Sequence, residues 1–107
     1  MPYAIYKDNI MVGFLMLSYG EAYENKEETA YWVWRLMIDK KYQGKGYGRD
    51  SMAKALELIK TFPHGEASTV YLSYELENIV AKALYGSLGF IETGKIEDGE
   101  MVAKLIL

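Results

Sequence analysis

The sequence has no cysteine, only two prolines and one histidine among its 107 residues. Without cysteine the chain has no disulfide, no thiol nucleophile, no Cys-ligated zinc and no iron–sulfur cluster. Basic residues are not in excess either, since 12 Lys and Arg face 15 Asp and Glu, which gives a formal net charge of −3. General nucleic-acid binders are usually strongly basic. The charge balance therefore predicts no nucleic-acid partner.

Long apolar runs are missing too. No stretch approaches the roughly 20 apolar residues of a membrane-spanning helix. The N-terminal segment Met1–Lys7 has no charged region followed by an apolar core, which a signal peptide requires. We therefore expect a cytoplasmic protein with no membrane partner. At this length, a hydrophobic content of 50% predicts a single domain over residues 1–107, built on one core.

The first third of the sequence predicts three strands. Tyr3–Lys7 and Met11–Tyr19 flank the turn Asp8-Asn9 and predict a hairpin. The polar, acidic segment Gly20–Glu28 predicts a loop. Tyr31–Asp39 is almost continuously apolar, as expected of a strand that is covered on both faces.

Two helices are predicted further along the chain. Apolar residues at helical spacing run from Met52 to Ile59, and the turn around Pro63 ends this helix. Asn78 is a suitable N-cap for a second helix that runs to about Leu88. The residues of this second helix that we expect to face inward are Val80, Ala83, Leu84 and Ser87.

Three more strands complete the pattern, at Thr69–Ser73, Phe90–Ile96 and Met101–Leu107, with a hairpin turn at Glu97–Glu100. The element order is therefore β-β-β-α-β-α-β-β. The strand–helix–strand unit from Tyr31 to Ser73 predicts a right-handed crossover between parallel strands. The predicted fold class is α/β (α+β): a mixed sheet with a central parallel pair and with the helices either on both faces or together on one.

The segment Gln43-Gly44-Lys45-Gly46-Tyr47-Gly48-Arg49 carries the clearest functional signal. It follows a strand and opens a helix, where the first N–H groups have no intrahelical partner and the helix dipole is positive. Glycines let a phosphate approach such amides closely. The segment thus predicts an anionic ligand, most simply a pyrophosphate, and a solvated Gly-rich turn is the alternative. Its spacing fits neither a P-loop nor a Rossmann fingerprint.

Two motifs resemble those of a known family. Gln43-x-x-Gly46-x-Gly48 resembles the acetyl-CoA signature Gln/Arg-x-x-Gly-x-Gly/Ala of the GNAT acetyltransferase superfamily. Further along, Asn78, Ala81, Leu84-Tyr85 and Gly89-Phe90 resemble the family's Asn…Ala…Leu-Tyr-x-x-x-Gly-Phe segment. One predicted helix and one strand separate the two motifs, as in the family. Residues 37–46 are most similar to bacterial spermine/spermidine and diamine acetyltransferases, and the resemblance extends over residues 3–107.

The resemblance implies an N-acetyltransferase that moves acetyl from acetyl-CoA to a small-molecule primary amine, such as a polyamine, by direct attack in a ternary complex and without a metal. Tyr85 matches the family's general acid. A phenol of pKa about 10 can protonate a thiolate of pKa about 8–9 with little mismatch. The residues that the resemblance assigns to cofactor binding are Leu36, Met37, Ile38, Gln43, Gly44, Lys45, Gly46, Tyr47, Gly48, Arg49 and Asn78.

The sequence departs from the family in its acid–base groups. Trp34 and Ser73 stand where many members carry a carboxylate. Glu75 and Glu77 follow closely, and we expect them to be solvated loop acids, with a water chain from the amine to one of them as the alternative. No general base is therefore assigned. Trp32 and Trp34 share one face of a strand, where we expect core packing, with an acceptor pocket as the alternative.

A second departure is at the N-terminus, because the chain begins near the family's second strand. A sheet without that cover favours self-association, and we expect a homodimer. The alternative function is a non-catalytic CoA-binding or protein-interaction module on the same fold.

Overall fold

The computed structural model describes residues 2–7, 10–23, 27–38, 47–61, 63 and 65–107. Six strands and two helices lie in these ranges, in the predicted order. The elements are β1 (Pro2–Lys7), β2 (Ile10–Glu21), β3 (Thr29–Ile38), α1 (Tyr47–Lys60), β4 (Thr69–Glu75), α2 (Ile79–Ser87), β5 (Ile91–Glu97) and β6 (Glu100–Ile106).

All six strands form one sheet in the order β1-β2-β3-β4-β6-β5. Among the strands of the described ranges, β3 and β4 form the one parallel pair, and the other four pairings are antiparallel. The predicted mixed sheet with a central parallel pair is therefore confirmed. Because β6 lies between β4 and β5, the last strand in sequence pairs on both sides and β5 forms one edge of the sheet.

Both helices cover the same face of the sheet, which decides between the two predicted arrangements. Met52 and Ile59 of α1 are fully buried in the same cluster as Tyr31 of β3 and Leu72 of β4. Side chains of α2 pack against the same cluster. The opposite face carries a smaller cluster that contains Tyr71 and the half-buried Trp32.

The inward face of α2 differs from the predicted one. Ala81, Tyr85 and Leu88 pack on the core, whereas Val80 is 79% exposed. Ala83 and Ser87 are exposed as well, which corrects the expected inward set. The sequence Ile79–Tyr85 is apolar at nearly every position, so its pattern does not define one helical face.

The turn between β5 and β6 is confirmed and has a defined geometry. Asp98 and Gly99 both adopt positive φ angles, of 48° and 79°. Positive φ at both central residues is the requirement of a type I′ turn, whose twist matches that of a β-hairpin. After the turn, β6 begins at Glu100, which lies directly opposite Glu75 of β4.

Candidate active site

The candidate site lies where the two parallel strands separate. Pairing between β3 and β4 ends at Val33 and Leu72. Beyond this point β3 stays paired with β2 as far as Ile38, and β4 stays paired with β6 as far as Glu75. There β3 and β4 no longer pair with each other, and a pocket of about 370 Å³ opens between them. The residues that line it are Val33, Trp34, Leu72, Ser73, Tyr74, Glu75, Asn78, Ala81, Tyr85 and Glu100.

Helix α2 supplies one wall of the pocket. The Asn78 side chain accepts a hydrogen bond from the backbone N–H of Ala81 at 3.0 Å, which fixes the start of the helix. Two turns later the ring of Tyr85 lies between those of Tyr74 and Phe90, with both centroid distances 5.9 Å. This packing restricts the directions in which the Tyr85 phenol can point.

Burial affects the chemistry of two phenols here. It raises the pKa of Tyr85 above the ordinary tyrosine value, because a phenolate loses its hydration inside the protein. The pKa of Tyr74 is raised as well, by burial first and then by its hydrogen bond to Glu92, whose carboxylate accepts from Tyr74 Oη at 2.7 Å. Both phenols therefore stay protonated at neutral pH.

The opposite wall is polar and aromatic. Ser73 Oγ donates a hydrogen bond to Oε1 of Glu100 at 2.7 Å, across the β4–β6 ladder. The indole of Trp34 stacks on Trp32 at 4.9 Å with 12° between the planes. Trp34 is 56% exposed, and its Nε1–H donates to Ser18 Oγ at 2.5 Å. An open aromatic face and an acceptor carboxylate thus lie in one pocket.

Two interpretations of the sequence need correction here. Trp34 is an exposed pocket wall, whereas the sequence predicts core packing. Glu75 also belongs to the pocket, because it ends β4 and does not lie in a solvated loop. Sequence reasoning did not find Glu100, since its position depends on the register between β4 and β6. The Asp98-Gly99 turn pattern, which predicts that a strand starts directly after it, is the one local feature that indicates the position of Glu100.

The residues implied for cofactor binding fall into four groups, the last of which is Tyr47, Gly48 and Arg49 at the start of α1. Leu36, Met37 and Ile38 lie on β3 beyond its pairing with β4, so among the described residues the backbone edge that faces β4 has no strand partner there. Asn78 lines the pocket, and its side-chain oxygen also caps α2. Gln43, Gly44, Lys45 and Gly46 lie outside the described residues.

The start of α1 is described from Tyr47 onward, and Gly48 and Arg49 lie in its first turn. Arg49 Nη1 donates a hydrogen bond to Oγ of Ser87, the last residue of α2. This contact joins the two helices at the side of the molecule where the Gly-rich segment leads into α1. The predicted pyrophosphate site at residues 43–49 stays a prediction.

Comparison with known proteins identifies the family. The model of the acetyltransferase (GNAT) family matches residues 1–90. A probable spermine N(1)-acetyltransferase of Bacillus subtilis subsp. natto is 37% identical over an alignment of 108 positions, which covers 94% of this chain and 66% of that protein. A spermine/spermidine N(1)-acetyltransferase of Bacillus subtilis is 36% identical over the same shares. The chain belongs to the GNAT family and spans about two thirds of the length of these relatives.

Solved structures agree on the fold. A Bacillus subtilis acetyltransferase in complex with CoA superposes with a TM-score of 0.78 at 17% identity, over 99% of this chain and 76% of the other. The PaiA N-acetyltransferase of Thermoplasma acidophilum, also in complex with coenzyme A, gives a TM-score of 0.74 at 16% identity, over 100% of this chain and 60% of the other. The mixed sheet and its two helices are thus the GNAT arrangement.

Proposed function

We propose that the chain is an acetyl-CoA-dependent N-acetyltransferase that acts on a primary amine of the spermine/spermidine class. The observation that carries this proposal is the separation of β3 and β4 after Val33 and Leu72, which opens a pocket beside the Tyr85 phenol. Family membership and the names of the two Bacillus relatives support the same reaction.

The backbone of β3 suits the acetyl donor. Beyond Val33, no other strand in the part of the chain that the structure describes pairs with its edge toward β4. An N–H there, at Leu36 to Ile38, is suited to donate to the thioester oxygen as negative charge develops on it during amine attack. The predicted pyrophosphate contacts at Gly44 to Arg49 complete the cofactor site in this proposal.

Tyr85 is the proposed general acid. When the carbon–sulfur bond breaks, the coenzyme A thiolate needs a proton, and the phenol supplies it. Burial raises the pKa of Tyr85, which keeps the phenol protonated at neutral pH and also makes it a weaker acid toward the thiolate than an exposed tyrosine. Packing against Tyr74 and Phe90 holds the ring in place.

The pocket wall also suits a cationic acceptor. Trp34 presents an exposed aromatic face, which attracts an ammonium group by a cation–π interaction. Glu75 adds a carboxylate to the same wall. A polyamine carries several such cations, so one amine can react while another is held at the wall. A cytoplasmic location and a homodimer remain predictions of the sequence.

The decisive experiment compares Tyr85→Phe with the wild type. We expect acetyl-CoA affinity by calorimetry to stay near the wild-type value and turnover with spermidine to fall by about 100-fold, a common contribution of a general acid. Tyr6→Phe is the control, because Tyr6 is 58% exposed and does not line the pocket. Unchanged turnover in Tyr85→Phe would remove the phenol from the mechanism. Acetyl-CoA binding by a wild type that acetylates no amine would favour the non-catalytic module.

A further inference from the structure

We propose that Glu100 is the general base of this acetyl transfer and that Ser73 is its positioning residue, an inference that rests on the proposed function. The sequence motifs leave the base unassigned. Of the two carboxylates that line the pocket in the described part of the chain, that of Glu100 is oriented by a hydrogen bond from Ser73. That carboxylate comes from the first residue of β6, 27 residues after Ser73.

The hydrogen bond from Ser73 determines how Glu100 can act. Ser73 Oγ donates to Oε1 at 2.7 Å, and both residues are half-buried on the pocket wall. An ionised carboxylate has two acceptor oxygens, so this contact leaves Oε2 to accept a proton from a bound amine. Glu75 lies directly opposite Glu100 in the strand register, but its side chain is exposed. Glu100 is therefore the better ordered acceptor.

The two proposed proton groups lie on different faces of the sheet. Alternation along β4 and β6 places Ser73 and Glu100 on the face of Trp32, whereas Tyr85 packs on the helix-covered face. Both faces meet in the pocket because β3 and β4 have separated there. An amine beside Glu100 can therefore attack a thioester whose sulfur faces Tyr85.

The step balances without any further reactant. The neutral amine attacks the thioester carbonyl carbon, the carbon–nitrogen bond forms and the carbon–sulfur bond breaks. The nitrogen gives one proton to Glu100, because it becomes acidic once its lone pair is in the new bond. The thiolate takes a proton from Tyr85. The proton on Glu100 then returns through solvent to the Tyr85 phenolate, so that the products are the acetylated amine and coenzyme A thiol.

Chemical rescue of a truncated variant tests this role. Glu100→Ala removes the carboxylate and leaves space for formate, a small carboxylate that can enter the pocket from solution. We expect turnover to fall by about 100-fold, acetyl-CoA affinity to stay within about twofold, and added formate to restore at least a tenth of the lost rate. A merely structural role for Glu100 would show no such restoration.

Matched variants complete the experiment. Glu97→Ala makes the same change in the same hairpin, at an exposed residue outside the pocket, and should keep wild-type turnover. Ser73→Ala should lower turnover less than Glu100→Ala, and Ser73→Thr, which keeps the hydroxyl, should recover it.

Three results would overturn the inference alone, provided that the wild type acetylates an amine. They are wild-type turnover in Glu100→Ala, a loss that formate does not restore, and formate rescue that occurs in Glu75→Ala instead. A wild type that binds acetyl-CoA but acetylates no amine would overturn the proposed function together with the inference.

Discussion

At the scale of single residues, Tyr85 shows how neighbouring rings define a catalytic candidate. The chain has ten tyrosines, and composition does not distinguish among them. Tyr85 differs because Tyr74 and Phe90 hold its ring at the pocket and because burial raises its pKa. Tyr74 in turn is oriented by Glu92, which also lies 3.8 Å from the Lys82 ammonium.

The two buried phenols predict how stability depends on alkaline pH. Their pKa values are raised in the folded chain, so the unfolded chain loses these protons first as pH rises. The stability they contribute is fully present below about pH 10, the ordinary tyrosine pKa, and is lost as pH rises from there toward the folded values. Urea unfolding of the wild type between about pH 9 and 11 should show this fall in the free energy of unfolding.

Removal of one of these two phenols should reduce the loss of folding stability at alkaline pH. Tyr74→Phe has no ionisable group at this position, so its free energy of unfolding should fall less steeply with pH than that of the wild type. Tyr6→Phe, at an exposed tyrosine, should keep the wild-type slope. Equal slopes for Tyr74→Phe and the wild type would contradict the assignment.

Asn78 supports a prediction about helix capping. Its Oδ1 accepts from the N–H of Ala81, so Asn78→Ala should destabilise the fold by about 1 kcal/mol. Asn78→Ser keeps a capping oxygen and should lose only a fraction of this. Urea unfolding measures both, and acetyl-CoA calorimetry on the Ser variant separates the cap from the cofactor contact that the family resemblance implies.

At the scale of elements, two glycines at the end of α2 have opposite requirements: Gly86 lies in the helix, and Gly89 follows its C-cap. Gly86 is helical and a Cβ there meets nothing within 4 Å, so Gly86→Ala should stabilise by about 0.5–1 kcal/mol. Gly89 has a φ of +102°, and a Cβ would lie 3.1 Å from Leu105 Cδ1. Gly89→Ala should therefore destabilise by more than about 1 kcal/mol. Thermal unfolding of both variants should shift in opposite directions, and a shared sign would contradict the helix end described here.

The elements also show which parts of the structure the sequence predicts. Strands, helices and the Asp98-Gly99 turn follow from local patterns, because turn chemistry and alternation act over a few residues. The inward face of α2 does not, since its apolar residues surround the helix. The pairing of Ser73 with Glu100 depends on the register of β6, which is set by long-range packing. The pocket residues Tyr85 and Asn78 are predictable from motifs, whereas the position of Glu100 in the pocket is not.

At the scale of the whole molecule, cofactor binding should stabilise the fold. A ligand that binds only the folded chain at 100 times its dissociation constant adds about 2.7 kcal/mol. Acetyl-CoA should therefore raise the melting temperature of the wild type. Gly48→Asp places a negative charge in the first turn of α1, beside the predicted pyrophosphate, and should abolish this shift.

Gly48→Ala is the control for that variant, because it adds a methyl group without charge. We expect it to keep part of the acetyl-CoA-dependent shift in melting temperature. A full shift in Gly48→Asp would place the phosphates elsewhere.

For the described residues, no helix is both long and apolar enough to cross a bilayer.

The placement of both helices on one side of the sheet has a consequence for the order of events. The pocket is bounded by side chains from both faces, so we expect the coenzyme and the amine of the proposed reaction to enter it by separate routes. Neither molecule then has to leave before the other can arrive. A saturating amount of one substrate should not block the other, and initial-rate plots should intersect rather than run parallel.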